Sequence, residues 1–229
     1  MPAEKQKRSL ILILLALFVV SAIAILWAVK SRLHEHAVLE AESQIQNLLY
    51  TYSSVRQLIR QYHKPEVYRL ISEGILSKDY FTPQLLSSTF NATSFIDILN
   101  KKLQQEHKPA VAFKLATDNP INPKNLADEK EQRLLKKMRN GEISHYKQII
   151  SSPTGEQILF YALPTDPVQP QCLLCHGNPQ DAPAQMIQQY GNQSGFNETA
   201  GNIRALVSMH LPLKTYADST RKCNGWVDS

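Results

Sequence analysis

Pro170-Gln171-Cys172-Leu173-Leu174-Cys175-His176-Gly177-Asn178-Pro179 is the stretch from which the rest of the chain is read. Two cysteines three apart in a helical turn carry both sulfurs on one side, and His176, four residues after Cys172, lands there too. That arrangement lets two thioethers hold the vinyl groups of one haem while the imidazole binds its iron. With 3 Cys and 7 His in 229 residues, a chance Cys-x-x-Cys-His is expected on the order of once in a thousand such chains. The rival chemistries each lack something. Zinc needs two further ligands at metal spacing, and only scattered histidines and Cys223 are on offer. A thioredoxin-like pair belongs just after a strand of a βαβ unit and has no use for the histidine. A disulfide across this spacing is strained and closes almost no loop. The motif therefore predicts one covalently attached haem c, with Cys172 and Cys175 as thioether donors and His176 as the proximal iron ligand.

Working outward, the N-terminal side is membrane-like. Leu10 to Val29 reads LILILLALFVVSAIAILWAV, twenty residues without a charge, which at about 1.5 Å of rise each span a hydrocarbon core of roughly 30 Å. A cleaved signal has a shorter apolar core and a small-x-small cleavage site, and this run passes instead into Trp27-Ala28-Val29-Lys30. It reads as an uncleaved transmembrane anchor. Lys5, Lys7 and Arg8 precede it, while Lys30 and Arg32 follow, so charge alone orients it weakly. The thiols decide, because covalent haem attachment takes place outside the cytoplasm. The expectation is a single-pass protein of a bacterial inner membrane with its haem domain in the periplasm.

After the anchor, Leu33, Ala37, Glu40, Ala41, Ile45, Leu48, Leu49, Tyr52, Val55, Leu58, Ile59 and Tyr62 recur at steps of mainly three and four, which predicts one long helix continuing to about His63 and ended by Pro65. A short helix over 66–76 and another from Pro83 to about Leu103, with Thr82 as its N-cap, come next. Ala110 to Leu115 looks like a strand. Asn119-Pro120-Ile121-Asn122-Pro123 cannot be helical. A charged helix over 125–138, closed by Asn140-Gly141, leads into strand-like runs over 143–150 and 157–163 joined as a hairpin, and the last β run covers 203–211. The expected organisation is a cytoplasmic tail (1–9), the transmembrane helix (10–29), its continuation (30–64), the haem domain (65–213) and a C-terminal tail (214–229). Composition is ordinary globular, 43% hydrophobic and 20% charged. The net charge of +5 is scattered and not interleaved with aromatics, so nucleic acid is not an expected partner.

Several separated pieces together resemble a known family: Ser54-Val55-Arg56, Phe113-Lys114, Asn119 to Asn125, the haem motif continuing through Gly177-Asn178-Pro179 to Ala182-Pro183, Tyr190-Gly191, Gly195, and Val207 to Leu213. In order and spacing they are similar to the single-haem c-type domains of PAS-like fold found in bacterial membrane sensors and in free-standing cyanobacterial haem proteins. The resemblance implies an α+β fold, a PAS-like antiparallel sheet with flanking helices and the haem lodged between them, and a role in sensing redox state or a small ligand. It carries Cys172, Cys175 and His176 over unchanged. The family's sixth iron ligand, a Cys or Met three residues before the Val-Arg pair, is replaced here by Tyr52. A tyrosinate binds ferric iron while a neutral tyrosine hardly binds ferrous iron, so the apolar helical spacing makes Tyr52 a pocket wall ahead of a ligand, and an open or water-bound sixth site ranks level with it. Arg56, one turn on, is a candidate for a haem propionate or a solvated helix arginine.

Other candidates for the sixth position are Met209 and His210, adjacent on the last strand and so facing opposite ways. With no distal acid–base pair evident, an enzyme is not expected. The first expectation is a sensor that acts through a separate output protein, since no kinase, cyclase or chemotaxis sequence follows Pro212 unless the reading frame is truncated. The second is a membrane-tethered electron-transfer cytochrome with a redox partner. The apolar stripe of the long helix also suits a homodimer.

Overall fold

The computed structural model describes residues 2–108 and 110–213. Helix α1 (Pro2–Leu58) runs without a break through the apolar segment and into the domain. It contains the one helix stretch, among the described residues, that is long and apolar enough to cross a membrane, with a mean hydropathy of 3.1. Past Lys30 its buried side chains are Ala37, Ala41, Ile45, Leu48 and Tyr52, the expected stripe.

Pro65 does not end the helix. Ile59–His63 form a π-turn, in which the Lys64 N–H reaches back five residues to the Ile59 carbonyl, and α2 (Lys64–Ser72) continues directly. The widened turn takes up the ring and the missing N–H that would break a regular helix, and such turns recur at functional sites. The predicted helix from Pro83 is split into α3 (Pro83–Leu86) and α4 (Ser88–Gln105). Thr82 stands at the N-cap without a side-chain cap bond, and the capping hydroxyl belongs to Ser87, which accepts from the Phe90 N–H at 3.1 Å.

Strands β1 (Ala112–Ala116), β2 (Tyr146–Ser151), β3 (Gln157–Pro164) and β4 (Leu206–Pro212) form one antiparallel sheet in the order β1-β4-β3-β2. The hairpin over 146–164 is the expected one. Helix α5 (Glu129–Arg139) begins later than its charged run suggested, because Asp128 and Glu131 make a reciprocal capping box there. The result is the expected α+β class, an antiparallel sheet flanked by helices. One face packs Leu159, Val207, Met209 and Leu211 against α1 and α4. The other packs Phe160, Ala162 and Leu206 against Leu134, Leu135 and Met138 of α5. Ala116, Leu206 and Pro164 stand in register at one end of the sheet, so β1 and β3 end where β4 begins. The site is built at that end. The tail from residue 214, with Cys223, lies outside the described residues.

Candidate functional site

Pro170–Cys172 make a 3-10 turn that leads into α6 (Leu173–His176), a single turn carrying both cysteines and the histidine. Gly177 ends it tightly. A Cβ there would stand 2.5 Å from the Leu173 carbonyl oxygen, so only glycine lets the chain turn away. Cys172 and Cys175 are free thiols, both half-buried, and Cys175 packs beside Ala182, Met186 and Phe196.

His176 is held from two sides. Its Nδ1 lies 2.8 Å from the Gly195 carbonyl oxygen, so Nδ1 is the protonated donor and Nε2 keeps its lone pair. Nε2 accepts from Arg204 Nη1 at 3.0 Å. Burial, and after it the Arg204 charge, hold this imidazole down to about 4, which keeps it neutral at neutral pH, the state in which imidazole is a metal ligand. Arg204 was not foreseen from the sequence. It is anchored by Glu198 at 3.3 Å and by the Asn119 carbonyl oxygen at 3.2 Å. The only local hint was a charged residue just ahead of the apolar run that becomes β4.

The proline loop supports this arrangement. The Asn119 side-chain oxygen accepts the Gly195 N–H at 2.6 Å, and its amide donates to the Phe196 carbonyl at 2.8 Å and to Glu198 at 3.1 Å. Two backbone bonds, Asn197 N–H to the Gly177 carbonyl at 2.8 Å and Glu198 N–H to the His176 carbonyl at 2.9 Å, tie the same segment to α6.

Three basic side chains, on α1, the π-turn and the start of α2, lie near this end of the sheet. Arg56 and Arg60 each lie 3.5 Å from the Asp166 carboxylate. Lys64 is within electrostatic reach of both thiols; burial pushes its ammonium down and the thiols pull it up. Tyr52, Arg56, Leu163, Asp166 and Val207 line a cleft of about 390 Å³. Arg56 Nε is buried and has no hydrogen-bond partner among the described residues, and Tyr52 Oη is buried beside the Thr89 side chain. Burial raises the Tyr52 phenol, against Arg56 and Thr89, which lower it. A buried donor without an acceptor is costly, and the Arg56 charge is answered in the same cleft by the Asp166 carboxylate.

The structure brings Tyr52, Arg56 and Met209 to one face of the sheet. Tyr52 packs at a tilt of 48° against Phe113, ring centroids 5.0 Å apart, and Met209 is fully buried in the same apolar cluster. His210 is turned to the opposite face, 4.9 Å from Phe160 and within reach of Glu131 and Lys130 of α5, and it is not brought to His176. Among the described residues no three His, Cys, Asp or Glu side chains converge as a metal cluster, so Cys172, Cys175 and His176 have no zinc-type company there. Two thiols and a neutral imidazole carried on one turn fit the attachment of a porphyrin and its iron, and none of the three lines the Tyr52–Arg56 cleft.

A family model described as Tll0287-like matches residues 34–212, a span that takes in the motifs from Ser54-Val55-Arg56 to the last strand. Among solved structures, the crystal structure of the cyanobacterial heme-protein Tll0287 is similar at 16% identity and a TM-score of 0.46, over 74% of this chain and 95% of that one. The search of curated proteins returned no match. The family match covers well over half of the chain, and the resemblance drawn from the separated motifs is thereby shown: this chain belongs to the Tll0287-like family.

Proposed function

We propose that this chain is a membrane-anchored, single-haem c-type domain, displayed on the periplasmic side of a bacterial inner membrane, that senses redox state or a small ligand and signals through a separate partner protein. The observation that carries the reading is the state of His176: Nδ1 is committed to the Gly195 carbonyl, so the lone pair is on Nε2, one turn from two free thiols, where Arg204 Nη1 donates to it and would give way to iron. Cys172 and Cys175 would hold the porphyrin, His176 its iron, and Arg56 a carboxylate. Bound there, haem supplies an iron that changes oxidation state or exchanges a ligand. Tyr52 stands at the pocket wall, as sixth ligand or as neighbour to an open position, and Met209 lies behind it.

Sensing needs an element with two states that the cofactor biases. Tyr52 and Arg56 belong to α1, which continues unbroken from the apolar segment, so a change in the pocket acts on a helix that leaves the domain. Electron transfer is the second reading, favoured by Leu174, which is 45% exposed inside the motif and puts the attachment turn at the surface. Absorption spectra of oxidised and reduced protein, with and without carbon monoxide or nitric oxide, separate the two. The sensor reading expects coordination to change on reduction or on gas addition. A low-spin spectrum indifferent to both, together with rapid exchange with a quinol-linked donor, would replace it with electron transfer.

A further inference from the structure

We propose that Asn119 is the positioning residue for His176: it fixes the Gly195 carbonyl, and through that carbonyl it tunes how strongly Nε2 donates to a metal. The inference rests on the haem reading above and deepens it. Asn119 touches neither the imidazole nor the thiols. Each of its polar atoms is nonetheless spent on the frame around them. Its N–H donates to Thr117 Oγ1 at 3.2 Å, its backbone oxygen accepts Arg204 Nη2 at 3.2 Å, Oδ1 accepts the Gly195 N–H at 2.6 Å, and Nδ2 donates to Phe196 and Glu198. Ser194 Oγ adds a longer bond to Oδ1 at 3.3 Å and a short one to the Pro120 carbonyl at 2.6 Å. The segment over 194–198 is therefore clamped on both sides of the one carbonyl that His176 addresses.

The clamp matters because Gly195 holds φ +87, a conformation in which the direction of its carbonyl is set by its hydrogen bonds and neighbours rather than by a side chain. A well-placed acceptor on Nδ1–H gives the ring partial imidazolate character, which makes Nε2 more basic and favours the more highly charged ferric state; such outer partners typically change metal affinity by 10–100-fold. Weakening the clamp loosens the Nδ1–H bond without removing any ligand. The same residue holds Arg204 by its backbone oxygen, so a side-chain substitution leaves that contact available.

The test compares full-length wild type, Asn119→Ala and Asn119→Ser, matured in a host with a cytochrome assembly pathway, by spectroelectrochemical titration and thermal melting. Leu135→Val, in the apolar layer on the far face, is the control for a mere loss of stability. Asn119→Ala should bind the same amount of haem but prefer the ferric state about tenfold less, a rise in potential of about 59 mV for one electron. Asn119→Ser should shift the same way by a smaller factor and serves alone if the alanine variant gives no folded protein. Leu135→Val should melt lower with its potential unchanged. A ferric preference within twofold of wild type in a folded, haem-loaded Asn119 variant overturns the proposal, as does an equal shift in Leu135→Val. Colourless wild type is a different outcome, and it would remove the haem reading and this inference together.

Discussion

Gly195 joins two requirements in one residue. Its φ of +87 belongs to the left-handed region, and a Cβ would stand 2.0 Å from Ile121 Cγ1 and 3.2 Å from the Ile121 backbone nitrogen. Its carbonyl is the acceptor for His176. Gly195→Ala combines backbone strain with overpacking and should cost about 3 kcal/mol, read by denaturant unfolding, and the displaced carbonyl should alter the Soret band of the loaded protein. A loss under about 0.5 kcal/mol with an unchanged band would mean that the segment yields freely. At this scale the thioether cysteines and His176 were legible because the motif needs only five adjacent residues. Arg204, Asp166, Arg60 and Lys64 were not, because nothing local sets them apart: Arg204 lies 28 residues from the imidazole it contacts, and only the closed sheet end brings them together.

At the scale of elements, α5 is tied to the site by its last residue. Arg139 forms a forked pair with Asp118, at 2.5 and 2.9 Å, and donates to the Ile203 carbonyl at 2.7 Å. It thus pins the loops on either side of Asn119 and Arg204. The Arg139 hydrogen bonds hold the Asp118 carboxyl below its ordinary value. A depressed carboxyl means that the unfolded chain binds the proton more readily, so the pair stabilises fully at neutral pH and loses its effect as pH falls below the ordinary carboxylate range. Asp118→Asn should melt lower than wild type at pH 7 and approach it as the pH is lowered toward 3; a constant gap across that range would assign the loss to packing. The strands and the hairpin were legible from their apolar alternation and turn residues. The helix ends were read less well. Pro65 carries the standard signal for a stop, and the π-turn that absorbs it has no comparable signature; Thr82-Pro83 is a complete start signal, and it hid the second start at Ser87.

Across the whole molecule, α1 is both the apolar segment and one wall of the cleft. Leu10 to Val29 is exposed almost throughout, with Leu10 at 59% and Trp27 at 73%, a surface suited to lipid and not to water. Beyond it Leu39, Tyr50, Leu58 and Tyr62 also stay exposed. Full-length protein should fractionate with membranes and need detergent, whereas a chain exported from Lys30 onward should be soluble, with the same haem content and spectrum. Recovery of the full-length protein in the soluble fraction would contradict the anchor, and loss of haem from the shorter chain would make the apolar segment part of the domain. The resemblance reached the fold class because its motifs sit where the loops and strands meet the site.

The covalent bond between Cys172, Cys175 and one haem is the claim on which the rest stands. Acid-acetone extraction of full-length wild type and of the Cys172→Ala/Cys175→Ala variant, both matured with a cytochrome assembly pathway, tests it most directly. Wild type should keep its red colour in the protein pellet, and the variant should lose any pigment to the solvent. A colourless wild type, or pigment that leaves both proteins alike, would contradict the account.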